Sequence, residues 1–306
     1  MKFMRKRFRE LLAGSEPLIA PCAYDALSVK MIEAAGFKLA GTTGYGMHGT
    51  ILGVPDNGML AFNEMVDACG KMADAVNIPL LADAEGGYGN AINVIRSVRD
   101  FEKAGMAGLF IEDQVLPPNC PFIREPRVIS ADEMVGKIRA AVMARCDKDF
   151  AIIARTDARF DEAVERAAAY IEAGADMIKI FPKTRKELEA LPARVTAPLH
   201  FGVIPGQEAT RGLSAHDILG MGYKIVTYPM TSLFAGVQAS LKALRALKKY
   251  GTEDNPETDM ISFADYVKLV GGDKFKEWEG EFLRGEYTAT TTARRGPKLK
   301  LKDRKS

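Results

Sequence analysis

Eight short apolar runs rich in β-branched residues alternate with helix-period segments along most of the chain, and this alternation is what most restricts its fold. The strand-like runs fall at 17–21, 38–42, 78–83, 108–112, 150–155, 177–181, 198–203 and 224–228. Segments 91–104, 131–145, 162–173 and 231–249 repeat apolar residues at the three-to-four spacing of an amphipathic helix. Ser130-Ala-Asp-Glu133 and Thr184-Arg-Lys-Glu187 have the spacing of a capping box, in which hydroxyl and carboxylate satisfy orphan N–H groups reciprocally. Glu33-Ala-Ala-Gly36, Glu102-Lys-Ala-Gly105, Glu172-Ala-Gly174 and, more loosely, Gly220-Met-Gly222 each precede a strand, where glycine can end a helix in the left-handed conformation. Eight strand–helix units predict an α/β fold, a (β/α)8 TIM-type barrel. An open doubly wound sheet would carry a phosphate-binding glycine fingerprint after its first strand, and none stands there.

The rest of the chain divides by composition into a barrel over 1–250, a helical extension over 251–285 and a basic tail over 286–306. The extension gathers Phe263, Tyr266, Phe275, Trp278 and Phe282, so it needs a surface to cover, on its own barrel or on a neighbouring subunit. The formal charge of +2 is uneven: from Thr288 onward seven basic residues face Asp303 alone, giving the tail +6 and leaving −4 for the remainder. With no aromatic residue after Thr288, that tail is expected to be a mobile, solvated appendage rather than a nucleic-acid arm. No apolar run reaches the roughly 18 residues of a membrane span, and the basic start, Met1 to Glu10, leads into no signal-peptide core. Cys22, Cys69, Cys120 and Cys146 form no CxxC pair, so reduced thiols and a cytoplasmic setting are expected.

In such a barrel the chemistry belongs at the C-terminal strand ends. Four consecutive runs end in polar groups: Thr42-Thr43-Gly44, Asp83-Ala-Glu85, Glu112-Asp113-Gln114 and Arg155-Thr156-Asp157. The strand period of two places Asp83 and Glu85 on one face, where two like charges call for a hard cation such as Mg²⁺ or Mn²⁺. A capped turn with solvated acids is the alternative. Arg155 either pairs with those carboxylates or clamps a substrate carboxylate. Asp56, within Gly53-Val-Pro-Asp-Asn-Gly58, reads locally as a turn residue. Cys120 lies on the proline-rich loop Leu116-Pro-Pro-Asn-Cys-Pro121, as a proton donor, a nucleophile or an inert thiol. His48, His200 and His216 are scattered, which argues against a histidine metal centre or a Ser/His/Asp triad.

Several motifs together resemble the isocitrate lyase / phosphoenolpyruvate mutase superfamily over roughly residues 5 to 285. They are Pro21-Cys-Ala-Tyr-Asp-Ala-Leu-Ser28, Leu52-Gly-Val-Pro-Asp56, Ala82-Asp-Ala-Glu-Gly-Gly-Tyr-Gly-Asn90, Ile111-Glu-Asp-Gln114, Ile129-Ser130 with Gly136-Lys-Ile138, and Ile153-Ala-Arg-Thr-Asp-Ala158. The sequence is most similar to the short branch of methylisocitrate lyases, dimethylmalate lyases, carboxyphosphonoenolpyruvate mutases and oxaloacetate decarboxylases. The resemblance implies Mg²⁺ on Asp83 and Glu85 with help from Glu112, backbone N–H groups of Thr43, Gly44 and Tyr45 on a substrate carboxylate, and carboxylate binding by Arg155. It also implies site roles for Asp56 and for Cys120 on a gating loop, and a homotetramer that exchanges its last helices.

The sequence departs from the family's pattern in several places. Pro118-Asn-Cys120-Pro-Phe122 replaces a Lys-x-Cys-Gly-His frame, Glu85 replaces an Asp, and Ile180-Phe-Pro-Lys183 puts Phe181 or Lys183 in place of a strand-six Glu. The run His200-Phe-Gly-Val-Ile-Pro205 aligns poorly with the family's Asn region after strand seven. The implied activity is Mg²⁺-dependent cleavage of a C–C bond in a small 2-hydroxy- or 2-oxo-dicarboxylate through an enolate. The alternatives are P–C bond chemistry and a barrel that binds a di- or tricarboxylate without turnover.

Overall fold

The computed structural model describes residues 2–118, 125 and 127–283. The first half runs α1 (Lys2–Ala13), β1 (Leu18–Ala23), α2 (Ala26–Ala34), β2 (Ala40–Thr42), α3 (Gly44–Met47), a π turn (His48–Leu52), α4 (Phe62–Ala75), β3 (Leu80–Asp83), α5 (Ala91–Lys103) and β4 (Gly108–Glu112). The second runs α6 (Ala131–Ala144), β5 (Ala151–Thr156), α7 (Phe160–Glu172), β6 (Met177–Ile180), α8 (Arg185–Arg194), β7 (Leu199–Gly202), α9 (Ala215–Gly220), β8 (Ile225–Tyr228) and α10 (Thr231–Tyr250). All eight expected strands form, with ends within two residues of the sequence reading. They close as a parallel barrel, β1 pairing with β8 through Leu18 opposite Ile225.

The local signals behave as their chemistry requires. Gly36, Gly105, Gly174 and Gly222 all have positive φ. At Gly36 the N–H bonds back to Glu33 O and the next N–H, of Phe37, to Ile32 O, which is the Schellman pattern. Thr184 and Glu187 form the full reciprocal capping box, whereas at Ser130 only the hydroxyl's half, accepting the Glu133 N–H, is made.

Two apolar layers hold the barrel. One lies between sheet and helices and includes Val94, Phe101, Ile111, Ile138, Tyr170 and Phe201. The other fills the lower interior with Leu18, Leu81, Phe110, Ile153, Met177 and Ile225, and Phe8 of α1 belongs to it. Helix α1, which the sequence reading left unassigned, therefore closes the N-terminal end. Arg5 fastens it there, donating to Glu102 O and pairing with Asp147 at 3.0 Å, while the Glu102 carboxylate accepts the N–H groups of Cys146 and Asp147. With α1 across that end, the C-terminal strand ends lie at the opposite rim.

The chain separates into two compact units, Met1–Thr258 and Asp259–Ser306. The second holds α11 (Phe263–Leu269), capped by the Ser262 hydroxyl, and α12 (Gly272–Phe282). Phe263, Tyr266, Phe275, Trp278 and Phe282 are exposed on it, with Phe275 and Trp278 packed edge to face at 5.3 Å. The basic tail lies outside the described residues. Among the described residues no helix is long and apolar enough to cross a membrane.

Candidate active site

The polar strand ends meet at one rim around a cavity lined by Tyr45, Asp56, Asp83, Arg155, Lys179 and Phe181, among others. The β2 end is built first. Thr43 donates its N–H to Ala23 O and caps α3 by accepting the Gly46 N–H. Gly44 donates its N–H to Asp83 Oδ2 at 2.9 Å. Of the three amides expected to face a substrate carboxylate, two are thus engaged within the chain, and Tyr45 N–H alone has no acceptor among the described residues. Gly44 is required by space: a Cβ there would stand 2.5 Å from Glu85 Oε1 and 3.0 Å from Asp83 Oδ2.

That crowding confirms that Asp83 and Glu85 converge, but not for the reason expected from sequence. Strand β3 ends at Asp83, and Glu85 has φ +50°, the left-handed region that non-glycine residues rarely occupy. A turn, not the strand period, places its carboxylate. Asp83 holds this turn by accepting the Glu85 N–H at Oδ1, and Tyr88 (φ +60°) and Gly87 (φ +82°) continue it. Backbone strain of this kind persists where surroundings over-determine it; here the Lys137 ammonium, buried, grips Gly86 O at 2.9 Å.

Glu85 Oε1 is buried without a hydrogen-bond partner. Burial, then the charges of Asp83, Asp56 and Glu112, hold its carboxyl well above the usual carboxylate range. Glu112, at the end of β4, is pushed up to about 8 by burial, against the opposing pull of Arg155 and with further upward pushes from Asp157, Asp83 and Asp56. Asp56 is raised by burial and by Asp83, with His48 and Arg155 pulling the other way. A cluster of carboxyls that cannot all ionise, one oxygen of which lacks any partner, is a donor set suited to a hard divalent cation. The residues present fit that group.

Arg155 stands between acids, its Nη1 2.7 Å from Glu112 and its Nη2 3.0 Å from Asp157, with the guanidinium 5.0 Å from the centre of the Phe181 ring. Its Nε–H remains buried and unpaired. The sequence reading left open whether Arg155 pairs with carboxylates or clamps a ligand; the pairing is realised, and one donor stays free.

Asp56 is far from being only a turn residue. It lines the cavity, and a carboxylate oxygen lies 3.4 Å from His48 Nδ1. His48, Asp56 and Glu85 offer ligand atoms within 4.8 Å of one another. Both nitrogens of His48 are occupied, however: Nε2 accepts the Leu60 N–H, so Nδ1 carries the proton and donates to Gly44 O. The histidine thus ties the loop after the π turn to α3 and positions Asp56 rather than binding a cation.

Three residues at this rim carry no site role in the sequence reading. Asp157 holds one side of Arg155 with both oxygens, Oδ2 at 3.0 Å and Oδ1 at 3.2 Å, and its Oδ2 also accepts from Gln114 Nε2 at 3.0 Å. Lys179, rather than Phe181 or the exposed Lys183, is the β6 residue that brings charge into the cavity. A lysine two positions after the interior Met177 and two before Phe181 was the available signal. His200, on β7, is buried with Nε2 on Thr227 Oγ1 at 3.1 Å, and burial holds its imidazole well below the usual range. Cys120 lies outside the described residues.

Comparison with known proteins gives the family. A family model described as phosphoenolpyruvate phosphomutase matches residues 8–248. The chain is 38% identical over 284 residues to a 2,3-dimethylmalate lyase of Eubacterium barkeri, covering 91% of this chain and 98% of the relative. To a 2-methylisocitrate lyase of Shewanella oneidensis it is 37% identical over 279 residues, covering 89% and 94%. A phosphonopyruvate hydrolase solved with oxalate and Mg²⁺ superimposes with a TM-score of 0.83 at 30% identity, covering 92% of this chain and 99% of that one. With the barrel, the rim and these relatives in agreement, the chain belongs to the phosphoenolpyruvate phosphomutase family of the isocitrate lyase / PEP mutase superfamily, as an enzyme of its lyase branch.

Proposed function

We propose that this chain cleaves a C–C bond of a small 2-hydroxy- or 2-oxo-dicarboxylate, with Mg²⁺ as cofactor and Mn²⁺ as a substitute. The observation that carries this reading is the convergence of Asp56, Asp83, Glu85 and Glu112 on one rim, with Glu85 Oε1 buried and unpaired. Asp83 and Glu85 would hold the cation, and Glu112 would assist through the oxygen that Arg155 leaves free. When bound there, the cation would supply positive charge against negative charge on the substrate's 2-oxygen, which a deprotonated 2-hydroxy acid carries before its C–C bond breaks and a 2-oxo acid gains as it breaks. Tyr45 N–H and Arg155 Nε–H are the free donors available to fix the acid end beside it. Asp157 and Glu112 hold the guanidinium in one orientation, so it does not reorganise during the reaction. His48 keeps Asp56 at the rim. Cys120 is the candidate donor of a proton to the departing fragment.

Relatives of both lyase types act on acids of this class, by their names. The test is to incubate the protein and Mg²⁺ with dimethylmalate, methylisocitrate, oxaloacetate and phosphonopyruvate, following pyruvate and phosphate release. Pyruvate from one of the first three, abolished by EDTA, is expected. Phosphate release from phosphonopyruvate alone would assign P–C chemistry instead, and no product from any of them would sink the reading. The exposed aromatic set of α11 and α12 and the exposed apolar residues Phe234, Val237, Leu241 and Leu244 of α10 support assembly of copies, with a homotetramer expected by light scattering.

A further inference from the structure

Lys179 lies between Arg155 on β5 and His200 on β7 in the strand register. Ile178 and Ile180 pack in the layer outside the barrel and Met177 in its interior, so the alternation turns Lys179 inward. The residue is 6% exposed, yet it lines the same cavity as Asp56, Asp83 and Arg155. Among the described residues its ammonium forms no hydrogen bond and no ion pair. Its neighbours are ring faces, with Nζ 3.6 Å from the centre of Phe110 and 5.5 Å from that of Phe181. Aromatic faces offset only part of the cost of burying an ammonium.

The other positive charge of the cavity lining is already matched. Arg155, the remaining cation of the lining, has Glu112 and Asp157 on its terminal nitrogens. His200 brings no charge. Thr227 donates its hydroxyl to Phe201 O, so it accepts from His200 Nε2–H, which leaves Nδ1 a neutral, unpaired lone pair. Burial lowers the Lys179 ammonium to about 8, still charged in the main at neutral pH, and an arriving anion would favour the charged form further. In the reading above, the cation on the acid cluster, Tyr45 N–H and Arg155 Nε–H all serve one end of a two-ended acid.

We propose that Lys179 anchors the second carboxylate of the substrate, pairing with it at the inner end of the cavity while the rim holds the 2-oxo or 2-hydroxy acid end. This rests on the dicarboxylate reading given above. Lys179 thereby selects dicarboxylates over monocarboxylates and contributes affinity rather than bond cleavage.

Racemic malate and racemic lactate share the 2-hydroxy acid end and differ in the second carboxylate. Calorimetric titration of both, with Mg²⁺ present, separates the two ends of the site. Wild-type protein is expected to bind malate more tightly than lactate. K179M should weaken malate roughly 10- to 100-fold, as for loss of a charged hydrogen bond, and change lactate by less than about twofold. Because Met fills a similar volume and removes an uncompensated buried charge, the unfolding midpoint should rise by about 2–4 °C. K179Q, which keeps polarity without charge, should reproduce the loss of malate affinity. Equal losses for both acids, or none for malate, would overturn the anchor while leaving the dicarboxylate reading intact. A wild type that binds lactate as well as malate would overturn it too. If the wild type binds neither acid, the dicarboxylate reading falls and the anchor with it.

Discussion

Glu85→Gln is isosteric and keeps the left-handed backbone, so it changes charge at the rim and little else. In metal-free protein the substitution should stabilise. The ligand atoms of Asp56 and Glu85 lie within 4.8 Å, where two full charges would repel by about 3–4 kcal/mol at an effective dielectric near 20. Glu85 escapes part of that by holding a proton, its carboxyl being raised by burial and by Asp83. A net gain therefore remains at pH near 8, read as a higher unfolding midpoint for the variant, with that repulsion setting its scale. With Mg²⁺ the order should reverse. Wild-type protein at a free Mg²⁺ about 100 times the dissociation constant gains about 2.7 kcal/mol, or about 5–11 °C, and the variant should lose most of it. Differential scanning calorimetry of both proteins in EDTA and in saturating MgCl₂ measures all four midpoints. A variant that melts below wild type in EDTA, or that gains as much from Mg²⁺ as wild type does, would refute the reasoning.

Other consequences follow from the same geometry. Glu112 is raised from 4.5 to about 8 on folding, so the folded protein holds that proton more tightly than the unfolded chain. The stability it contributes is complete below pH 4.5 and is lost as pH rises through about 8; urea midpoints of metal-free protein should fall over that range, and Glu112→Gln should flatten the decline. Arg155→Lys keeps the charge but cannot span Glu112 and Asp157 together, so kcat/KM should fall by roughly 100-fold, whereas an unchanged value would remove Arg155 from the site. Phe8→Ala opens a cavity in the floor of the barrel and should cost about 3–5 kcal/mol in urea unfolding with turnover per folded molecule unchanged.

The strands and most helices were legible in the sequence because periodicity, caps and the glycines after helices are relations among residues within a turn or two of one another. The rim acids Asp83 and Glu112, with Arg155, were legible for a related reason: in a barrel every strand end faces the same mouth, so knowing the strands nearly locates the site. The strand period gives the wrong reason for Glu85 standing beside Asp83: a left-handed turn places it, and that turn has no local signature beyond the glycines that follow it.

Asp56 and Lys179 mark the limit. Pro-Asp-Asn-Gly is good turn chemistry wherever it occurs, and only the resemblance raised Asp56 to a site residue; in the fold it lines the cavity with Asp83, 3.4 Å from His48 Nδ1. Lys179 in an apolar run reads as a tolerated exception until the barrel closes around it. Local pattern along the chain suffices for the (β/α)8 order and for which strand ends carry charge. The tertiary structure alone decided which charges are buried together, which are paired and which are left over, because desolvation and long-range proximity exist only once the barrel is closed.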